Sequence, residues 1–361
     1  MNDIPPRRRS MTYDDALTVA RVWRDAGGSP NIELGALEPL LWKDGSLGPA
    51  DLVAGLVRSG MIVSMTTNGS CLAANARALK AAGLSLLRIS WHTTDPLTYR
   101  EISGHGDYRD FWTGICTAVN VGLKISFNRT LLRGCCHDLP EQLNFVSSHN
   151  SRLKLHDLMW TPEISSVYGD LYQDWRPVVR EFVLPRTRRV ERIGHAIGRR
   201  RIRFHLHGGG HVEVKIGDAV NRNGNPCRDC QHRGVCLEEF GDYLRVEPEL
   251  NGYFCYLRRD MRFSWREIID AGPCASANLK RLLHSLTDGR TDALLRGGAL
   301  RYILVPFCNY NCFVPGTSIS WCHKTSGDFT FPGRPRRTDS HQHLIVLNQE
   351  RSRSDEQPHY R

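Results

Sequence analysis

Apolar positions along the chain recur at two spacings, and the switch between them marks out the elements. Ala16, Val19, Ala20 and Trp23 fall on one helical face, predicting a helix over about 12–26 that Gly27-Gly28 ends. Asn31–Leu34 reads as a short strand running into Gly35-Ala-Leu-Glu38-Pro39. A helix over 51–59 stops at Gly60, and Met61–Thr66 follows as a strand with Thr67-Asn68-Gly69 as its exit turn. Residues 72–82 are Ala-rich and helical, and Leu86–Ser90 is again a strand. Helices at about 110–121 and 138–148 alternate with strands at Lys124–Asn128 and Leu153–Trp160.

Strand and helix thus alternate with a period of about 30 residues, the pattern of a parallel sheet, open or closed into a barrel. Chemistry in such folds gathers at the C-terminal ends of the strands. Glu38, Thr66–Asn68, Ser90–His92 and Asn128 all punctuate those ends. Any one of them is an ordinary turn former or helix cap. Their recurrence at the same end of successive strands makes them candidates for a site.

The second half is less regular. Residues 165–185 read as helical or irregular, and an Arg-rich segment, 186–203, leads into a hairpin-like piece, Ile202–Leu206 and Val212–Ile216, around Gly208–Gly210. Cys227-x2-Cys230-x5-Cys236 is followed by Cys255, with a turn at Asn251-Gly252 between two strands. Two thiolates on one tight turn can face one ion or cluster, so these four cysteines form a candidate metal site, zinc or iron–sulfur. Residues 262–299 begin helical and pass into a polar linker, TDGRTDALLRGG. An apolar strand, Tyr302–Phe307, then delivers Cys308 and Cys312 into a loop, with Cys322 and His323 beyond. The domain plan is a flexible arm at 1–10, an α/β unit at 11–185, a cysteine region at 186–272, a strand and cysteine loop at 273–337, and a disordered tail at 338–361.

Composition narrows the class. At 361 residues and 40% hydrophobic content, the chain is long enough for a full core, and no apolar run approaches the roughly 20 residues that span a bilayer. The N-terminus lacks the apolar segment of a signal peptide, so a reducing cytoplasm is expected. There, twelve cysteines are metal ligands or free thiols before they are disulfides. Cys71, Cys116 and Cys274 are expected to be packed small hydrophobes, and Cys135-Cys136 a loop pair without a metal role. The formal charge of +10 is concentrated at Arg7–Arg9, Arg186–Arg203 and Arg334–Arg337. Solvated surface is the first reading, and a basic pocket for an anionic substrate is compatible with it. A nucleic-acid partner would need a reading module, and none is found.

Taken together, these residues resemble the radical S-adenosylmethionine (radical SAM) superfamily, and within it the MoaA-like proteins. Cys308-x3-Cys312, with Asn309 and Phe313, matches the start of the family's C-x3-C-x2-C loop. NIELGALEPLL stands where members carry Gly-Gly-Glu-Pro, and TTNGSCL, LLRISWHTTDPLTYREISG and ISFNRTLLRG follow in the family's order over about 150 residues. The second cysteine region is similar to a MoaA-like auxiliary cluster. This chain departs from the pattern three times. The cluster strand lies near the C-terminus, as in a circular permutation, although a rearranged gene would leave the same trace. Pro315 takes the third-cysteine position, with Cys322 displaced by an insertion, and Ala36-Leu37 replaces the two glycines before Glu38.

The resemblance implies a partial (β/α)6 TIM-like barrel with its first strand supplied from the C-terminal region, plus a small auxiliary-cluster region. It implies a [4Fe–4S] cluster on Cys308, Cys312 and Cys322 that binds S-adenosylmethionine, with an auxiliary cluster on Cys227, Cys230, Cys255 and, as fourth ligand or spare, Cys236. Glu38, Thr67, Asn68, Ser90 and Asn128 would surround S-adenosylmethionine or substrate, and Arg129, Arg133 and the 186–203 arginines could meet a triphosphate. The expected partners are a small-molecule substrate, GTP-type or otherwise, or a peptide, and an electron donor such as flavodoxin or ferredoxin. The competing reading is a degenerate relative that keeps one metal site with a binding or structural role.

Overall fold

A computed structural model of the protein describes residues 11–303, apart from 36–37, 104–105, 195–200, 216–224, 233–235, 237–242 and 288–290. The strands are β1 (Asn31–Gly35), β2 (Ile62–Thr67), β3 (Leu86–Ser90), β4 (Ile125–Thr130), β5 (Arg152–His156), β6 (Thr187–Ile193), β7 (Arg201–Leu206), β8 (His211–Lys215), β9 (Tyr243–Val246), β10 (Asn251–Tyr253), β11 (Phe263–Ser264) and β12 (Ala299–Ile303). They form one sheet in the order β11-β10-β9-β12-β1-β2-β3-β4-β5-β8-β7-β6. From β9 through β12 and β1 to β5 and β8, every neighbour is parallel. Antiparallel strands flank this run on both sides. Between the parallel strands run α1 (Tyr13–Asp25), α2 (Pro49–Arg58), α3 (Leu72–Ala81), α4 (Pro96–Ser103), α5 (Tyr108–Asn120) and α6 (Leu139–Ser148). This is the expected mixed α/β, partial-barrel architecture.

The place of β12 decides the topology. It lies between β9 and β1, with Leu300 beside both Ile32 and Leu244, so a strand from the far end of the chain joins two parts of the sheet. On its buried face the Tyr302 hydroxyl donates to the Ala16 carbonyl at 2.9 Å, tying the strand to α1. The apolar run predicted at Tyr302–Phe307 is therefore a strand three residues earlier at its start, and residues beyond 303 lie outside the described part.

Period-2 alternation sorts the side chains. Ile32, Leu34, Val63, Met65, Leu87, Ile89, Phe127, Leu153 and Leu155 point to one face and share a single core with Val19, Trp23, Leu52, Leu56, Leu79 and Ile115 of the helices. Burying that face supplies most of the driving force for the sheet, at about 25 cal/mol per Å² of apolar surface. The opposite face is polar. Gly69 ends β2 at φ +84, where an added Cβ would meet Phe111 at 2.8 Å, so only glycine fits this turn.

Other elements differ from the sequence reading. Thr291–Gly297, read as a polar linker, is a helix. Its Leu294 and Leu295 are buried, which outweighs the polar composition around them. Arg-rich residues 187–193 form β6, an edge strand whose charged side chains are mostly solvated, as the surface reading of that run held. The stretch 186–272 is divided between β6–β8 beside β5 and β9–β11 beside β12. Cys116 and Cys274 are exposed and not packed, because Cys116 falls on the outer side of α5 and Cys274 in a short surface turn. No helix among the described residues is long and apolar enough to cross a membrane.

Candidate active site at the strand ends

The polar face of the sheet is built by one residue in two from each strand. Arg301 of β12 lies beside Glu33 of β1, Glu33 beside Ser64 of β2, and Thr66 beside Arg88 of β3. Arg88 pairs in register with Ser126 of β4, Ser126 with Arg152 of β5, and Lys154 with Glu213 of β8. Two carboxylates organise the arginines. Glu33, 2% exposed, accepts from Thr66 Oγ1 at 2.7 Å and from Arg301 Nη2 at 2.6 Å, and lies 3.3 Å from Arg88 Nη1. Burial alone would raise its carboxyl pKa. Arg301 and Arg88 reverse that, and with the Thr66 hydroxyl they hold it well below the usual carboxylate range. Glu213, fully buried, pairs with Arg152 at 3.4 Å, Arg201 at 3.5 Å and Arg203 at 2.8 Å.

The rim above this floor is different in kind. Glu38 follows β1 and is 5% exposed, with no cation against it among the described residues. Its Oε1 accepts from Thr67 Oγ1 at 2.7 Å and from the Leu40 N–H at 3.0 Å, and its Oε2 accepts from the Asn68 N–H at 2.7 Å. Burial pushes its carboxyl up, and these three hydrogen bonds offset only part of that. Glu38, Thr67 and Asn68 are thus brought together, as a knot between the exits of β1 and β2. The Asn68 side chain turns back to accept from the Ser70 N–H at 2.9 Å, the turn-forming role that any asparagine there can take.

Ser90 and Asn128 stand side by side in register at the ends of β3 and β4. The Asn128 Oδ1 is buried and has no hydrogen-bond partner among the described residues. A buried amide oxygen left without a partner is uncommon, and a bound ligand with a donor is one way to satisfy it. Behind it, Arg129 is fully buried and bonded to Asp138 at 2.5 Å and Gln142 at 2.7 Å, so it cannot meet a triphosphate. His92 accepts the Thr130 N–H at 3.2 Å, and burial, with Arg129 nearby, pushes its pKa down to about 4.

The cysteines divide into two groups. Cys308, Cys312 and Cys322 lie outside the described residues, as do Ala36 and Leu37. Cys227, Cys230, Cys236 and Cys255 are all half-buried, and none is in a disulfide. Arg258, bonded to Asp260 at 2.6 Å, also feels the charge of Cys230 and Cys255. Yet among the described residues no three His, Cys, Asp or Glu side chains are gathered closely enough to hold a metal ion. The thiols are donors that a cluster takes, and in this arrangement they do not converge on one centre. The rim, by contrast, fits a donor-bearing ligand at Asn128.

Sequence reading missed Glu33, Arg88, Arg152, Arg301 and Asp157. Asp157, one residue past β5, has a buried Oδ1 without a partner. Burial first, then the Asp174 carboxylate, push its pKa up to about 6, against the pull of Arg176 and Lys215. The signal for the other four was present: in NIELG, LLRIS, RLKLH and ALRYI charged residues alternate with buried apolar ones.

Residues 2–136 match the Radical SAM superfamily, and over that stretch the chain is similar to its members. The curated relatives it is similar to carry the name GTP 3',8-cyclase. It is 33% identical over 170 residues to a probable GTP 3',8-cyclase of Pyrobaculum aerophilum, covering 46% of this chain and 53% of that one. To GTP 3',8-cyclase 1 of Pseudomonas aeruginosa it is 31% identical, covering 46% and 50%. To the probable GTP 3',8-cyclase of Methanothermobacter thermautotrophicus it is 26% identical, covering 73% and 80%. The chain therefore spans about half the length of the first two of these curated relatives. Among solved structures, Streptococcus suis SuiB bound to precursor peptide SuiA matches 48% of this chain and 39% of that one, at 15% identity and a TM-score of 0.40. The Escherichia coli coproporphyrinogen III oxidase HemN matches 47% and 43%, at 14% identity and a TM-score of 0.36.

Proposed function

We propose that this protein is a radical SAM enzyme of MoaA-like type whose barrel is circularly permuted. The observation that carries the reading is the parallel insertion of β12 beside β1. Its direction brings the chain out of the sheet at the same rim as Glu38, five residues before Cys308. The first strand of the expected barrel is thus supplied by the C-terminal region, ahead of the cysteine loop.

On this reading Cys308, Cys312 and Cys322 would hold a [4Fe–4S] cluster, and Cys227, Cys230, Cys255 and Cys236 an auxiliary one. A cluster held at the first site would supply the electron for reductive cleavage of S-adenosylmethionine, and with it the radical chemistry of this class. The described residues do the positioning. Glu38 locks the β1 and β2 exits together through Thr67 and the Asn68 amide, fixing the backbone at the rim. Asn128 offers an unpaired oxygen to a donor on the bound molecule, and Ser90 lies beside it. Arg129 and Asp138 brace the loops behind them. The substrate is a GTP-type molecule or a natural-product or peptide one, and a flavodoxin or ferredoxin would supply the electron.

Anaerobic reconstitution with iron and sulfide tests this. Iron is counted per chain, and 5′-deoxyadenosine release from S-adenosylmethionine is measured with dithionite. We expect release to depend on Cys308. Bound iron with no deoxyadenosine would overturn the reading in favour of a degenerate relative.

A further inference from the structure

We infer that Glu33 is a specificity-determining residue: it is a resident counter-anion that turns the floor of the site away from polyphosphate substrates. The inference rests on the reading of the site given above and narrows its substrate class. Arg88 and Arg301 keep 19% and 24% of their side chains exposed, whereas the Glu33 side chain beneath them keeps 3%. Part of each arginine side chain is therefore accessible, and the carboxylate that neutralises them is already inside. Its bond to Arg301 at 2.6 Å and its 3.3 Å approach to Arg88 are the contacts that a phosphate oxygen would otherwise make. The third arginine of the floor, Arg152, is matched in the same way by Glu213.

An added phosphate would have to share arginines that a buried carboxylate holds. Glu33 cannot leave, since it is fixed in the middle of a strand between β12 and β2. Nor does it become neutral by taking a proton, since Arg301, Arg88 and Thr66 keep it ionised through the ordinary pH range. What remains open on the floor suits a neutral acceptor. Among the described residues the buried Arg152 Nε and Arg301 Nε have no hydrogen-bond partner, and a carbonyl oxygen reaching such a donor would satisfy it without the desolvation cost of a polyanion. The substrate class that fits is one presenting uncharged carbonyl groups to the floor. The relatives named as GTP 3',8-cyclases would then differ from this chain in what they bind.

Calorimetric titration of the full-length protein with inorganic tripolyphosphate, and separately with GTP, tests this without any turnover. Wild type should bind both more weakly than about 0.1 mM. Glu33→Gln keeps the shape and removes the charge, and should bind tripolyphosphate at least about tenfold more tightly. Adding Arg88→Met to that variant should abolish the gain. Tight binding by wild type, no gain in Glu33→Gln, or a gain that survives Arg88→Met would each overturn the inference. If Glu33→Gln does not fold, the wild-type titrations decide it alone. Failure of the radical SAM reading appears elsewhere, as absent deoxyadenosine release.

Discussion

Glu33 and Glu38 are five residues apart and both nearly buried, yet they do opposite things. The floor carboxylate is held by guanidiniums and stays charged. The rim carboxylate is held only by a hydroxyl and two amides, and is pushed toward its neutral form. Charge pairing makes the floor rigid and indifferent to pH in the physiological range. Burial, only partly offset by hydrogen bonds, makes the rim responsive, and a neutral Glu38 would be a donor as well as an acceptor.

The largest expected effect breaks the floor. Glu33→Ala leaves Arg88 and Arg301 facing each other, and should cost about 3 kcal/mol, at the low end for a buried pair because both arginines touch solvent. Since the folded carboxyl is depressed, its contribution is present above the usual carboxylate range. It is lost only as pH falls below that range. Urea titrations of wild type and variant at pH 7 and pH 5 should therefore give the same difference. A difference that shrinks by half at pH 5 would sink the assignment.

Breaking the rim should cost somewhat less. Glu38→Ala strands the Thr67 hydroxyl and the Leu40 and Asn68 amides, for about 2 kcal/mol. Here the sign reverses. The folded carboxyl is raised, so wild type gains from it at low pH and loses that gain as pH rises through the folded value. The gap between wild type and Glu38→Ala should thus widen on acidification from pH 7 to pH 5. A constant gap would show that Glu38 is ionised throughout and that the rim resembles the floor.

Asp157 extends the contrast to the next strand end. Its raised value of about 6 means that its ionisation destabilises the fold at neutral pH. Asp157→Asn should be the more stable protein above pH 6, with the difference vanishing toward pH 4. Asp174, Arg176, Lys215, Tyr168 and Tyr172 surround the group, and the variant leaves them unchanged. Thermal melts across that range check it, and a variant less stable than wild type at pH 7 would contradict the burial argument.

The contrast also explains what was legible in the sequence. Residues at strand exits announce themselves, since Glu38, Thr67-Asn68 and Asn128 interrupt apolar runs beside glycine or proline. Glu33 and Arg88 lie inside strands, where one charge among apolar residues reads as a defect unless the strand is counted by twos. The β12 pairing is not local at all. It follows from Leu300 and Tyr302 matching the buried face beside Ile32 and Leu34, which single-strand patterns cannot specify. Thr291–Gly297 was misread because composition there is polar while two leucines carry the burial. The four cysteines at 227–255 were legible as a cluster of thiols, but sequence spacing does not fix how a turn closes.

The smallest effect on stability should come from Asn128, and for that reason it separates binding from folding most cleanly. Its Oδ1 has no partner to lose, so Asn128→Ala should change stability by less than about 0.5 kcal/mol. If a donor of the bound cofactor completes that oxygen, the same variant should weaken S-adenosylmethionine binding by about tenfold, or ~1.4 kcal/mol. Asn128→Asp keeps an acceptor in place and should retain more of the affinity. Calorimetry on the reconstituted protein, beside a urea titration, reads both quantities. A variant that binds normally but is clearly destabilised would make Asn128 part of the scaffold, and would leave Glu38 to define the rim alone.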